Sequence, residues 1–340
     1  MKVCILSMQR VGNMGSLLQS YALKTTIERL GHQVEFIDIE KREDDYKLLD
    51  DYKQKYDKEK ETTGLIGKIK KTDRYTLNRL RIKKKSIDQE NVFEQFRQKE
   101  LFIDRRSSKY NVCVIGSDEV FNCCQKSSWG YTPQLYGRVP QAGRVVSYAG
   151  SFGSTTYQQL IDTEVADEIG YIMKTKLSAI SVRDQNSYEI VSLLTGIKPE
   201  IHLDPVLIYG YKNEIEKSSV NVDYSYMLIY SYQGRISNKD EIKKIVEFAK
   251  LKGLRLISVF CRYNWCDKAI IPDTPFDVLA WFKGASFVVT DTFHGTIFSV
   301  ITHRSFCSLI RNDNEQKMKS LLICLSLERR LILSKDSEKI

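Results

Sequence analysis

The chain has 340 residues, 42% hydrophobic and 11% aromatic, which is enough apolar material for two domains with separate cores and excludes a wholly disordered chain. An excess of 52 basic over 43 acidic residues leaves a net charge of +9, which favours anionic ligands or an anionic surface; the basic residues lack the interleaved aromatics of a nucleic-acid platform. The eight cysteines form no CxxC pair and no Cys/His quartet, so no metal site is expected, and Cys4, Cys113, Cys261 and Cys307 read as buried reduced thiols beside strand-like runs.

Met1-Lys2 precedes only Val3–Leu6 before polar residues resume, too short an apolar run for a signal peptide or membrane span, so a cytoplasmic protein is expected. Val3–Ser7 predicts a first strand, Asn13-Met14-Gly15 a turn, and Leu17–Leu30 a helix packed on a sheet through Leu18, Tyr21, Ala22, Leu23, Ile27 and Leu30. Gly31 is placed at its C-cap and Gln33–Ile37 is the next strand, which makes a βαβ opening. From Lys41 to about Glu90 charges of both signs mix without a strand pattern, and a charged helical insertion is placed at about residues 41–105. Its basic residues Lys68, Lys70, Lys71, Arg74, Arg79, Arg81 and Lys83 to Lys85 read as a solvated face, or as a surface for phospholipid or a lipid-linked diphosphate at the inner face of the membrane.

Strands are expected again at Asn111–Ile115, Arg144–Tyr148, Ala179–Val182 and Ile201–Leu203, and Asp204-Pro205 closes a first lobe spanning 1–205. A second lobe, 206–340, alternates the strands Met227–Tyr230, Leu254–Phe260 and Phe287–Thr290 with helices near Asp240–Leu251, Phe276–Lys283 and Gly295–Thr302. The fold class read from this alternation is α/β, with parallel sheets covered by helices.

In such sheets ligands bind beyond the C-terminal ends of the strands. There the chain carries Gly116-Ser117-Asp118 through Asn122, and Tyr148-Ala149-Gly150-Ser151-Phe152-Gly153, whose small residues admit a ligand close to the backbone. Arg183 directly follows a strand; its planar fork suits a carboxylate or phosphate, and an ion pair with Asp184 or another acid is the equal alternative. The run from Phe287 to Thr296 breaks from strand into helix with His294 at the junction, where Gly295 clears the approach of an anion to the helix N-terminus. The imidazole suits general acid or base chemistry near neutral pH; a satisfied structural histidine is the plainer reading.

Taken in order, Asn13-x-Gly15, Gly116-Ser117-Asp118 through Asn122, Ser147-Tyr148-Ala149-x-Ser151-Phe152-Gly153, Ser181-Val182-Arg183, Leu203-Asp204-Pro205 and Asp291-Thr292-Phe293-His294-Gly295-Thr296 resemble the polysaccharide pyruvyl transferase family. The resemblance implies two Rossmann-like lobes facing a cleft, of the glycosyltransferase-B-like (GT-B) kind. It also implies transfer of a pyruvyl group from phosphoenolpyruvate to two hydroxyls of a sugar in a bacterial surface or exopolysaccharide precursor, forming a cyclic ketal. Phosphoenolpyruvate is then a co-substrate, no other cofactor is needed, and the acceptor is a sugar or lipid-linked oligosaccharide. On this basis His294 protonates the enol carbon or the departing phosphate, Arg183 holds a donor anion, and Thr292, Gly295 and Thr296 border the donor. Thr292-Phe293 stand where some family members carry Arg-Leu, so Arg311 or Lys317 is expected to supply the phosphate's counter-charge. Asp118 orients or deprotonates the sugar hydroxyl, and Asn13, Gly15, Ser117, Asn122 and Ser151 line the acceptor side.

Two other readings share the scaffold. One is a glycosyltransferase using a nucleotide sugar, with Glu315 at the ribose; the other is a catalytically silent sugar-binding member.

Overall fold

An unbroken apolar run is what a parallel strand needs when both of its faces are covered, because neither row of side chains meets water. Cys4, Ile5 and Leu6 are completely buried for this reason, at the centre of the first of two parallel sheets. The computed structural model describes residues 1–40, 88–101, 103–104, 109–124, 131–311 and 314–332. Most of the charged insertion, with the basic cluster from Lys68 to Lys85, lies outside the described residues.

The first sheet comprises β1 (Lys2–Leu6), β2 (Gln33–Ile37), β3 (Ile103–Asp104), β4 (Tyr110–Asp118), β5 (Ala142–Gly150), β6 (Leu177–Ala179), β7 (Ser181–Val182) and β8 (Glu200–Ile201). Its order is β3-β2-β1-β4-β5-β7-β8, with β6 also paired to β5. The register sets Val3 beside Val112 and Ile5 beside Val114, so the chain reverses its direction of travel across the sheet between β1 and β4. The second sheet has β9 (Tyr226–Tyr230), β10 (Arg255–Val259), β11 (Lys268–Ile270), β12 (Phe287–Thr290), β13 (Phe306–Leu309) and β14 (Leu331–Ile332). Its order is β11-β10-β9-β12-β13-β14, and here the switch lies between β9 and β12. Ligands of open parallel sheets bind at such switch points.

The helix Lys239–Leu251 shows how sequence becomes packing in the second unit. Asn238 caps it, its side chain accepting from the amides of Asp240 and Glu241, and the acidic first turn complements the helix dipole. Ile242, Ile245, Val246 and Ala249 form the stripe that packs onto Met227, Ile229 and Leu256, at the spacing of one helical face.

The described residues divide into two units. The first holds residues 1–9, 23–40 and 101–204; the second holds 10–22, 88–100 and 205–332. The units part between Asp204 and Pro205, and the start of helix α1 (Met14–Arg29) belongs to the second unit. An aromatic cluster accounts for this: Tyr21 packs against Phe96, Tyr209, Tyr211 and Phe276, with ring centroids 5.0 to 5.9 Å apart, and the Tyr211 hydroxyl donates to the Leu18 carbonyl.

Helix α1 begins at Met14, inside the expected turn, because the Asn13 side chain accepts from the Gly15 amide at 2.8 Å and so caps the helix. All eight cysteines are free thiols, five of them buried. Among the described residues no helix is long and apolar enough to cross a membrane, and no three His, Cys, Asp or Glu side chains are grouped to hold a metal ion.

Candidate active site

In the second unit β12 ends at Thr290, and after Asp291 the extended Thr292 caps the helix Phe293–Ile301, its hydroxyl accepting from the Gly295 amide at 3.0 Å. His294 therefore stands in the first turn of a nine-residue helix, 7% exposed. Its ring lies against the first turn of α1. A Cβ added at Gly15 would fall 2.0 Å from His294 Nδ1 and 2.2 Å from its Cγ, so only glycine admits the imidazole there. Gly15→Ala is expected to displace the ring and cut turnover about 100-fold, at a cost of about 1–3 kcal/mol in stability. Turnover within a few fold of wild type would show that the ring position is unimportant.

The absent Cβ of Gly295 serves packing rather than ligand approach: its place is filled by the Thr290 and Thr292 hydroxyls and Tyr230. Thr296 is likewise fully buried, bonded to the Thr292 carbonyl and to the Ser308 hydroxyl at 2.7 Å. Both residues hold the helix on the sheet, whereas Thr292 borders open space.

That space is a hollow of about 70 Å³ at the ends of β9 and β10, walled by Asn13, Ser231, Tyr232, Phe260 and Thr292 among others. Asn13 Nδ2 donates to the Tyr232 hydroxyl at 2.9 Å, and Phe260 is held in the left-handed region at φ 60°, a conformation that costs a non-glycine residue energy and is often found at binding sites. Beneath it Asp291 is completely buried, and burial raises its pKa against the opposing effects of Ser231, Arg235 and Arg311. Arg311 donates from Nε to Asp291 at 3.2 Å and through Nη1 and Nη2 to both oxygens of Glu241 at 3.1 and 2.9 Å. Lys317 is half-buried on the helix Glu315–Cys324, and Glu315 on the same helix pairs with Lys319 at 2.6 Å.

The remaining candidates lie in the first unit, at the ends of β4, β5 and β7. Asp118 closes β4 with φ 78°, its amide donating to the Ser117 hydroxyl at 2.6 Å. Arg183 is almost fully buried, donating to Asp204 at 3.0 Å with Asp118 3.6 Å away. Burial acts to lower the Arg183 pKa and is outweighed by Asp118, Asp204, Asp184 and Glu119, which raise it, so the guanidinium stays charged. Ser151 donates to Asp184 at 2.5 Å, and Asp184 also caps the helix Gln185–Thr195. Asn122 bridges Glu119 and Thr155 at 2.8 and 2.7 Å.

The structure thus gathers Asn13, Gly15, Thr292 and His294 in one unit, and Ser117, Asp118, Asn122, Ser151 and Arg183 in the other. Sequence reasoning missed Tyr232, Arg235, Glu241 and the pairing role of Asp204. Only Asp204, beside a proline at a strand end, carried a local signal; the others meet partners 56 or more residues away on neighbouring elements.

No curated protein matches the chain in sequence. Among solved structures that resemble it, the UDP-GlcNAc 2-epimerase from Methanocaldococcus jannaschii is 14% identical with a TM-score of 0.51, over 100% of this chain and 90% of that one. The UDP-GlcNAc 2-epimerase from Neisseria meningitidis bound to UDP-GlcNAc is 10% identical with a TM-score of 0.51, over 100% of this chain and 89% of that one. At these identities the likeness is one of fold, and it agrees with two Rossmann-like units of the glycosyltransferase-B-like class. A family model for polysaccharide pyruvyl transferase matches residues 13–314, a span that takes in both groups of site residues; the chain belongs to the polysaccharide pyruvyl transferase family.

Proposed function

We propose that the protein transfers the pyruvyl group of phosphoenolpyruvate to two hydroxyls of one sugar in a bacterial surface or exopolysaccharide precursor, yielding a cyclic ketal and phosphate. The observation that carries this reading is the buried imidazole of His294 in the first turn of a helix, beside a hollow whose wall holds hydroxyls and an amide. A donor bearing phosphate and carboxylate needs such an environment, and its methylene carbon needs a proton.

The reaction forms two C–O bonds at C2 of the donor and breaks the bond from C2 to the phosphate oxygen. Of the two hydroxyl protons released, one ends on C3, which becomes a methyl group, and the other leaves with phosphate. His294 is assigned to delivery of the proton to C3. Asp118 is assigned to the acceptor hydroxyl, which it orients and deprotonates. Arg183 is matched by surrounding carboxylates, so we assign it to holding Asp118 and Asp204 in place rather than to the donor anion; a guanidinium already balanced by acids has little charge left for another anion.

A second reading has one specific support. Tyr230, Tyr232 and Phe260 give the hollow aromatic walls, and the Neisseria meningitidis epimerase with this fold is bound to UDP-GlcNAc; a sugar nucleotide is therefore the competing ligand. Thermal unfolding with each ligand separates them, since a ligand at 100 times its dissociation constant stabilises by about 2.7 kcal/mol. Stabilisation by phosphoenolpyruvate and not by UDP-GlcNAc is expected; the reverse pattern would move the assignment to glycosyl transfer.

A further inference from the structure

One wall of the hollow in the second unit comes from a part of the chain with no share in the motifs: Gln89, in a helical stretch over residues 88–96 that runs on into the π-helix Arg97–Leu101. Gln89, Phe93 and Phe96 follow at i, i+4 and i+7 and so share one helix face. Phe93 is completely buried and packs edge-on against Phe260, which also walls the hollow, with ring centroids 5.6 Å apart. Phe96 packs on Tyr21 and Phe276 at 5.9 and 5.3 Å. The buried Arg97 donates to the Val11 carbonyl at 3.2 Å and to Glu90 and Glu94 at 2.9 and 3.1 Å. These contacts fix the backbone that carries Gln89, whereas its side-chain amide bonds to no other described residue. A polar group held in place in this way, with its own hydrogen bonds unmade, loses little entropy on engaging a ligand.

Among the described residues that line the hollow none is charged; its polar groups are the amides of Asn13 and Gln89 and the hydroxyls of Ser231, Tyr232 and Thr292. The Asn13 amide is half used, since its oxygen accepts from the Gly15 N–H and one of its two N–H protons goes to Tyr232. An amide sets a donor beside an acceptor, which matches a hydroxyl, a group that both donates and accepts. A phosphate or carboxylate only accepts, and would leave the amide oxygens facing negative charge. The rings of Tyr232 and Phe260 supply apolar wall between these polar points, as sites for neutral polar ligands do.

We propose that Gln89 is a ligand-binding residue of this hollow and that it recognises a hydroxyl of the acceptor's sugar ring. The inference rests on the pyruvyl-transfer reading and adds to it a place for the acceptor beside His294. Saturation-transfer NMR on the full chain tests it, with a panel of methyl hexosides, phosphoenolpyruvate and UDP-GlcNAc as probes against wild type, Gln89→Ala and Gln89→Glu. Gln89→Ala is expected to weaken binding of a hexoside about 3- to 10-fold and to leave phosphoenolpyruvate affinity unchanged. The urea midpoint of each variant, expected to match wild type because the amide has no bond to lose, checks that weaker binding is not unfolding. Gln89→Glu separates the occupants: if the added carboxylate weakens phosphoenolpyruvate about 10-fold or more while hexosides still bind, the anionic donor occupies the hollow, which overturns the sugar assignment and leaves pyruvyl transfer standing. Equal hexoside affinity of wild type and Gln89→Ala, or no hexoside bound by wild type, would also overturn it. If wild type binds UDP-GlcNAc and not phosphoenolpyruvate, the pyruvyl-transfer reading fails, and the Gln89 contact stands only if Gln89→Ala weakens UDP-GlcNAc binding.

Discussion

Replacing His294 with alanine is expected to lower turnover by about 10²- to 10⁴-fold, the usual contribution of a positioned general acid, while the protein stays folded. The imidazole sits in a pocket made for it: glycine at position 15 is required by its ring, and Phe293 and Phe298 pack on it with centroids 5.5 and 6.1 Å away. Its position at a helix start aims backbone dipoles toward any anion that approaches. Loss of a buried ring costs stability as well, so His294→Gln, which fills more of the space, is the companion variant. Steady-state assays of both variants, with circular dichroism to confirm folding, give the comparison. Equal loss in both points to proton transfer by the imidazole; near wild-type activity in either would remove His294 from the chemistry.

Arg183→Ala is expected to destabilise the first unit by about 3–5 kcal/mol, because removing one partner of a buried ion pair strands the charges it balanced. Asp204 is 1% exposed in its side chain and Asp118 12%, and both would face each other without a cation. The loss is visible as a lower urea midpoint. Adding Asp204→Asn to Arg183→Ala should recover part of it, since the stranded charge is then removed, and a double-mutant cycle measures the coupling. A change below about 1 kcal/mol in the single variant would mean that water reaches these groups and that the pair behaves as a surface pair. At temperatures where Arg183→Ala is still folded, phosphoenolpyruvate should stabilise it as it does wild type; if that stabilisation disappears, Arg183 holds the donor after all.

The centre of each sheet was legible because buried parallel strands carry unbroken apolar runs. Lys2–Leu6, Tyr226–Tyr230 and Phe287–Thr290 all fell within a residue or so of expectation. Three of the four edge strands were not legible: Ile103–Asp104, Lys268–Ile270 and Leu331–Ile332 are two or three residues long, too short to show any period. Asn13-Met14-Gly15 was read as a turn because Asn and Gly signal turns, and the same chemistry also starts helices; what decides is the amide of Gly15 bonding back to Asn13. The His294 motif was visible because strand, cap and helix start are contiguous in the chain. Its neighbours were not, since Arg311 meets Glu241 across 70 residues and Tyr21 joins the second unit through aromatic contacts that no local pattern encodes. Gly295 was read as a clearing for ligand, whereas its role is to let the helix close on Thr290 and Thr292; backbone approach to a ligand and to a neighbouring strand demand the same residue.

Phosphate release from phosphoenolpyruvate, measured in heavy water across a panel of sugar acceptors with mass spectrometry of the product, tests pyruvyl transfer most directly. Release that depends on acceptor is expected, with an acceptor that gains the elements of pyruvate less one water and carries one solvent deuterium on the new methyl group. Glycosyl transfer from a sugar nucleotide, with phosphoenolpyruvate left intact under every acceptor, would contradict it.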